Sequence, residues 1–548
     1  MERFGEEFDF IVVGAGSAGC VLANRLSEDG QNRVLLIEAG PRDTNLITKI
    51  PLTAGLAYFW KSINWNYEIA PQPHMDNRTI AWPRGRLLGG SSSINGMMYM
   101  RGNRTDYDGW RQGGLEGWGY EDVLPYFKRS EGHADRTDAY HGTDGPFRVV
   151  TAKAENELYG AFLQSAESLG HPRNDDFNGA DQEGLGPYDF NIRDGRRESS
   201  ATAFLKPARN RANLDIWTNA QAQRLLMEGR RAVGVSLIRD GARMNVYARR
   251  EVVLAAGALG SPQIMELSGI GDPEVLGAVG VPTVHALPAV GTNLHDHLGV
   301  YLTYKCTKPV TLYGFFRPDR AILAGVQALF LRRGPATAVP LEVGGFLKTR
   351  PELDVPDIHI TFVPGLNLET TQSGQGQHGY LINFYQLRPQ SAGTSHIVSP
   401  RAEDAPLMDP NYLAETADVR CMRDGVRLAR KIGESDPLAG YNAGEISPTR
   451  DIQSDDEIDA WVRASANTIF HPVGTCRMGA DEGSVVDGEL KVRGIDGLRV
   501  ADASVMPKVI GGNTSAPTIM IAEKCADMML GRAPLPRVDF PTEQGNAA

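Results

Sequence analysis

The chain has 548 residues, 41% hydrophobic and 22% charged, with a formal net charge of −11. That length implies about two to four domains or one elaborate two-domain unit, and the acidic balance excludes nucleic acid, whose phosphates call for basic stripes; the pairs Arg230-Arg231 and Arg249-Arg250 read as solvated turns or strand ends. The five cysteines are scattered, the first residues are acidic, and the longest mostly apolar run, Ala321 to Leu331, is about half a bilayer span, so a disulfide framework, a secretory signal and a transmembrane segment are not expected.

Phe8 to Val13 is a strand-like apolar run that ends in Gly14-Ala15-Gly16-Ser17-Ala18-Gly19. A helical pattern follows from Cys20 to Leu26, then a second strand, Arg33 to Ile37, closed by Glu38 and Ala39. Strand, glycine turn, helix, strand and acid together form the dinucleotide fingerprint. The glycines permit a tight turn and close approach to a pyrophosphate, the helix N-terminus favours negative charge, and the acid suits a ribose diol. A second small-residue cluster runs from Ala81 to Gly96. It contains Trp82, Arg84, Gly85, Leu88, Gly89, Gly90, Ser91, Asn95 and Gly96, with Met97 following, and its backbone can approach a flat or charged ligand without obstruction by Cβ atoms.

On these two clusters and on the end of the chain, the sequence resembles the glucose-methanol-choline (GMC) family of FAD oxidoreductases, nearest its bacterial choline-dehydrogenase-like and aliphatic-alcohol-dehydrogenase members. The resemblance runs from the first fingerprint to Glu523. It implies an α/β fold, α+β overall: a Rossmann-type FAD-binding domain with a discontinuous substrate domain built on an antiparallel sheet backed by helices. The expected FAD-binding parts are 1–151, 199–300 and 465–535; the substrate-binding parts are 152–198 and 301–464; a tail covers 536–548. Some relatives carry a flavin-linking histidine where this chain has Ile94, so FAD is expected to be noncovalent. The scattered cysteines point to a reducing, cytoplasmic compartment, with peripheral contact at the inner membrane left open by the resemblance and the oligomeric state unassigned.

Further along, helices are expected over Tyr120–Ser130 and Asn156–Leu169, and short strands over Leu214–Trp217, Ala232–Val235 and Asn245–Ala248. The turn 219–222 precedes Gln223, where the resemblance places a strand against the adenine, so Ala222 either makes a backbone contact to it or is an ordinary strand residue. Glu251 to Pro262 repeats the strand–glycine–helix pattern. Ala256 and Gly257 lie at its turn, Ser261 is placed as N-cap and Pro262 at the first helical position. In Leu294-His295-Asp296-His297 the two histidines raise a metal reading, but no further ligand stands at fitting spacing, so no metal is expected.

From Val300 to Ala464 the pattern suggests an amphipathic helix over Ala321–Leu331. Antiparallel strands follow at 358–362, 379–385 and 394–398, their period of two implying one buried face; Phe362 and Tyr385 are candidate roof residues or core. A helix over 418–431 and an acidic segment over 455–464 close this stretch. Glu342 either reaches a cationic substrate group or serves a structural role, and Phe470, Trp60 and Glu342 are the parts available for an aromatic cage with a carboxylate.

The chemistry is concentrated at His471 and Asn513, forty-two positions apart, each among glycines and prolines, with Asp502 and Ala503 between them. A histidine suits removal of a hydroxyl proton, and an uncharged amide suits donation to an oxygen gaining charge. Both match the family's paired catalytic positions, and Asp502-Ala503 matches its last FAD-contacting turn. Asn513 and Thr514 are expected to cap the helix 517–529 toward the flavin. Cys476 and Arg477 read as packing and structural pairing. The expected reaction is FAD-dependent oxidation of a small-molecule primary alcohol to an aldehyde by hydride transfer to flavin N5. Electrons pass to a quinone or other carrier; the alternatives are an oxidase using O2, and a flavin-containing lyase or fatty acid photodecarboxylase of the same family.

Overall fold

Strand Glu6–Val13 lies centrally in a seven-stranded sheet because its apolar residues are buried on both faces. The computed structural model describes residues 5–316, 318–366 and 378–540; residues 541–548 of the expected tail lie outside them. On one side Glu6–Val13 pairs in parallel with Val34–Ile37, which pairs in parallel with Leu214–Trp217. On the other it pairs in parallel with Ala242–Leu254. An antiparallel extension, Arg231–Arg239 and Ala220–Glu228, continues from that strand, and Leu498–Val500 joins its C-terminal end in parallel. Helices Ser17–Leu26 and Ser515–Leu530 pack together on this sheet, so the start and the end of the chain share one core.

Ala242–Leu254 corrects the sequence reading, which divided it into two strands. Against Glu6–Val13 the register runs from Phe8↔Ala248 to Phe10↔Glu251, so Arg249 and Arg250 form a bulge in one continuous strand. Arg249 reaches Glu7 and Asp9, while Arg250 donates to Asn32 at 2.9 Å and covers the Phe10 ring.

The second seven-stranded sheet is wholly antiparallel. In order it holds Asn442–Ser447, Leu298–Cys306, Gly379–Gln386, Ile358–Val363, Val343–Leu347 and Gly184–Pro187, with Asn467–Thr468 beside the second of these. Its alternation sorts the side chains. Ile358, Ile360, Phe362, Ile382 and Phe384 pack beneath helices Glu157–Ser168 and Thr416–Gly433, whereas His359, Thr361, Val363, Asn383 and Tyr385 face a cavity. Tyr385 is therefore a roof residue and Phe362 is core, 5.0 Å ring to ring from Phe162. Gly425 lets the longer helix reach the sheet, since a Cβ there would lie 2.3 Å from Phe384 Cε2.

Two further expectations are corrected. Thr394–His396 does not join this sheet but pairs with Leu407–Asp409. The helix expected over 321–331 is Pro318–Val326 followed by a π-helical turn, Gln327–Leu331. Its alanine side, Ala324 and Ala328, packs on Ile50, Leu52 and Ala336, while Ile322, Leu323 and Phe330 stay exposed.

Candidate active site

A cavity of about 1160 Å³ lies between the two sheets and runs from the first glycine turn to His471 and Asn513. It exceeds the ~300–1,000 Å³ common for small-molecule sites, so it has room for a dinucleotide and a second molecule. At one end Gly14 takes φ +100, and a Cβ on Gly19 would lie 1.8 Å from Gly14 O; these two glycines close the strand–helix turn. Gly16, by contrast, has only one atom within 4.0 Å of its hypothetical Cβ and faces the cavity. The Glu38 carboxylate accepts from Ala15 N at 3.0 Å and Gly40 N at 2.8 Å, and burial pushes its pKa up to about 7. Asp502 ties the other turn, accepting from Gly257 N at 2.8 Å, Ser261 Oγ at 2.6 Å and Ser504 N at 2.8 Å.

Gly14, Gly16, Ser17, Ala18, Glu38, Ala39, Arg84, Gly85, Gly90, Ser91, Asn95, Gly96 and Met97 line the cavity. So do Ala222, Ala256, Gly257, Asp502, Ala503, Thr514, Asn513 and His471. Five expected residues do not. Gly19 packs within the turn; Trp82 Nε1 donates to Thr468 Oγ1 at 2.9 Å; Leu88 N donates to Pro41 O at 3.0 Å; Gly89, at φ +90, donates to Ala15 O at 2.7 Å; and Ser261 bonds Asp502. Ser261 is no N-cap either. The helix is Gly257–Leu267, and Pro262 lies inside it. The Ala258 carbonyl, which Pro262 leaves without its i+4 donor, accepts instead from the Thr475 hydroxyl. At the chain's end the helix is Ser515–Leu530 with Thr514 in the cap position and no side-chain cap bond, so Asn513 is left for the cavity.

The pairing of two distant segments builds the catalytic end. His295 and Val473 exchange backbone hydrogen bonds at 3.1 and 2.9 Å, and Ile469 N donates to His297 O at 3.0 Å. Between them Asp296, fully buried, accepts from His471 N at 2.6 Å and from the Thr468 and Tyr412 hydroxyls. Phe470 takes φ +66, an unfavourable conformation for a bulky residue, with its carbonyl bonded by Arg84 at 2.7 Å and its N–H by Thr468 at 2.8 Å. Asn513 is held through Gly511, whose N–H donates to Asp106 at 2.7 Å and whose carbonyl accepts from Gln182 at 2.7 Å.

The hydrogen-bond chain fixes the tautomers. His297 Nε2 stands 3.1 Å from Leu387 O, an obligate acceptor, so Nε2 carries the proton and Nδ1 is the lone pair. His471 Nδ1, 3.0 Å from His297 Nδ1, is then the donor, and its Nε2 is left as a lone pair facing Asn513 Nδ2 at 3.2 Å. Burial, then His297 and Arg84, lower the His471 pKa, and burial takes His297 to about 3, so both rings are neutral. Above them His359 Nε2 bonds Tyr188 Oη at 2.7 Å and its Nδ1 meets the Tyr385 hydroxyl.

Sequence reasoning missed three things: the role of His297, the roof histidine His359, and the wall formed by Ile50, Leu52 to Leu56, Tyr58, Phe59, Leu312, Tyr313, Ala324 and Gly325. Composition offers little signal for that wall, which is irregular turns and a short helix. The cage also fails to assemble, because of its three parts only Phe470 lines the cavity. Trp60 is half exposed, and Glu342 lies against the Lys153 and Ala154 backbone. Among the described residues, groupings with metal-like spacing are Glu131, His133, His141 and Asp138, His141, Asp176. Arg101 already pairs with Glu131 at 2.6 Å, and although burial opposes it, bonding to Asp176 and Glu131 carries His141 up to about 9. Cys476 is buried, and Arg477 pairs with Asp481 at 2.8 Å. No helix among the described residues is long and apolar enough to cross a membrane.

The residues fit a flavin dinucleotide. Gly16 leaves backbone open, and two buried polar atoms facing the same space, Asn513 Oδ1 and Ser515 Oγ, have no partner within the chain. Residues 8–299 and 389–522 match the two family models described as GMC oxidoreductase. The chain is 46% identical to the oxygen-dependent choline dehydrogenase of Pseudomonas syringae pv. tomato, over 97% of this chain and 95% of that one. It is 44% identical to the mitochondrial choline dehydrogenase of Mus musculus, over 98% and 91%. Among solved structures, pyridoxine 4-oxidase from Mesorbium loti superposes with a TM-score of 0.88 at 34% identity, covering 96% of this chain and 99% of that one. A formate oxidase of Aspergillus oryzae, studied for FAD modification, gives 0.91 at 26%, covering 97% and 99%.

Proposed function

The chain belongs to the GMC oxidoreductase family, FAD-dependent enzymes acting on CH–OH donors, and on that premise we propose that it oxidises a primary alcohol to an aldehyde with His471 as base. The observation that carries this reading is the hydrogen-bond chain from Leu387 O through His297 to His471, which leaves the Nε2 lone pair beside Asn513 at the cavity's end. FAD, when bound, supplies the acceptor for the hydride leaving the alcohol carbon. His471 Nε2 takes the hydroxyl proton, and the Asn513 amide donates to the oxygen as charge develops there. Buried Asp296 holds the His471 backbone, so the ring keeps its place as the proton arrives. Ile94, on the cavity wall, has no nucleophilic atom, which supports noncovalent FAD.

For the electron acceptor we propose a quinone or other carrier. Exposed Ile322, Leu323, Val326 and Phe330, on the stretch that carries cavity-lining Ala324 and Gly325, support delivery at a membrane surface by an otherwise cytoplasmic protein. The test is anaerobic mixing of the holoenzyme with alcohol, then stopped-flow reoxidation. Bleaching of the flavin by alcohol and slow reoxidation by O2 are expected. Fast reoxidation assigns an oxidase, and absence of bleaching rejects alcohol oxidation altogether.

A further inference from the structure

We propose that the alcohol is uncharged and largely hydrocarbon, with its hydroxyl at His471 and its tail along the wall formed by Leu52, Leu56, Val339, Leu341 and Gly325, and that a quaternary ammonium alcohol is not the preferred substrate. The inference rests on the proposed alcohol oxidation and goes beyond it to substrate class.

Three observations carry it. First, among the described residues lining the cavity the acids are Glu38 and Asp502, and both are engaged by the two glycine turns at the other end. Glu342, which directly precedes roof strand Val343–Leu347, bonds the Lys153 and Ala154 backbone, while its neighbour Leu341 lines the cavity. A buried cation without a counter-charge is strongly disfavoured.

Second, the charged side chain at this end of the cavity lining is a cation, Arg84, whose counter-charge, Asp296, lies outside the lining. Arg84 lines the cavity, bonds Phe470 O, and with Arg197 acts electrostatically on Tyr58. The Tyr58–Phe470 ring pair, 5.2 Å between centroids, offers a π-face, but next to a guanidinium.

Third, the roof's polar groups are already satisfied. His359 bonds Tyr188 and Tyr385, Asn383 Nδ2 donates to Val300 O at 3.0 Å, and Thr361 Oγ1 lies 3.4 Å from Tyr188 Oη. A hydrocarbon tail strips none of them of a partner. The His471 lone pair and the Asn513 amide N–H stand together at one end, an acceptor for one hydroxyl's proton and a donor to its oxygen.

The test is steady-state kinetics of the holoenzyme with an artificial dye acceptor on straight-chain primary alcohols and on choline. The expected kcat/KM rises about fourfold per methylene from 1-butanol to 1-octanol, with choline on the order of 100-fold below 1-octanol. Gly325 lines the cavity and a Cβ there meets no atom within 4 Å. Gly325→Phe should therefore cut kcat/KM for 1-decanol at least about tenfold more than for 1-butanol; equal losses, or none, overturn the tail's placement. Glu342→Gln should change neither 1-octanol nor choline oxidation, and a loss confined to choline overturns the inference. Choline turning over faster than 1-octanol overturns it as well. If no alcohol bleaches the flavin, the proposed alcohol oxidation itself has failed.

Discussion

The Nδ1 atoms of His297 and His471 face each other at 3.0 Å, and because the far nitrogen of His297 is committed to the Leu387 carbonyl, only one assignment of protons satisfies all three groups. His297 touches neither substrate nor cofactor space; it is a positioning residue for the tautomer of His471. Its replacement by alanine should lower kcat/KM by about 10–100-fold, the usual scale for a partner that orients a functional histidine. Glutamine, whose side-chain oxygen can accept from His471 Nδ1–H, should recover part of the loss. Equal loss in both variants, with flavin content unchanged, would assign His297 to packing.

His471→Ala removes the proposed base and should reduce kcat by about 10²–10⁴-fold, roughly 3–5 kcal/mol of barrier. Asn513→Ala, removing one donor to a developing charge, should cost about 10²–10³-fold. Flavin absorbance per subunit reports whether either variant still loads cofactor. Full activity in His471→Ala would reject its role.

Ile94 predicts that all flavin leaves with the small-molecule fraction when the protein is acid-precipitated. Yellow colour retained in the pellet after washing would show a covalent link formed elsewhere.

Acid should weaken the fold. Burial takes His297 and His359 to about 3 and lowers His471, so all three are neutral when folded, whereas the unfolded chain protonates them near ~6.5. Below that pH the unfolded chain binds more protons, and the folding constant drops by up to about tenfold per pH unit for each histidine. Glu38 opposes this. Raised to about 7 by burial, it favours the folded state most below its unfolded value near ~4.3 and loses that contribution as pH rises through 7. His295, lowered to about 4 by burial, adds to the fall, and His141, carried up to about 9, opposes it with Glu38; four groups against two leave a net fall, visible as a lower urea midpoint at pH 5.5 than at pH 7. A midpoint that rises on acidification contradicts it.

Gly425→Ala places a Cβ 2.3 Å from Phe384 Cε2 in the middle of the roof sheet. Overpacking there should cost ~1–3 kcal/mol, read as a shift in the urea midpoint. An unchanged midpoint would mean that the helix lifts from the sheet without penalty.

The parts of this molecule legible in the sequence are those whose geometry is local. The turn from Gly14 to Gly19 and the acid at Glu38 depend on residues within one strand–helix–strand unit, and they were readable there. What stayed hidden depends on contacts across the chain. Arg249 and Arg250 looked like a strand end because a bulge interrupts the alternation of one long strand. Ser261 looked like a cap because Pro262 follows it, and only the Thr475 hydroxyl, more than two hundred positions later, shows how a helix tolerates that proline. His297 drew attention through its neighbour His295 and was weighed as a metal ligand; its partner comes from backbone pairing with residues 469–473. The wall at 50–59 is a 3-10 turn followed by one turn of helix, too short to show a period.

The roof strands place His359, Thr361 and Val363 on one side and Ile358, Ile360 and Phe362 on the other. Cavity wall and folded core thus occupy interleaved positions of the same short segment. A library confined to residues 363 and 381 leaves the hydrogen bonds of His359, Thr361 and Asn383 intact and can explore new alcohols while the helix-facing residues keep the sheet folded, which makes this strand pair the natural place for selection, in a laboratory or in a genome, to retune the enzyme.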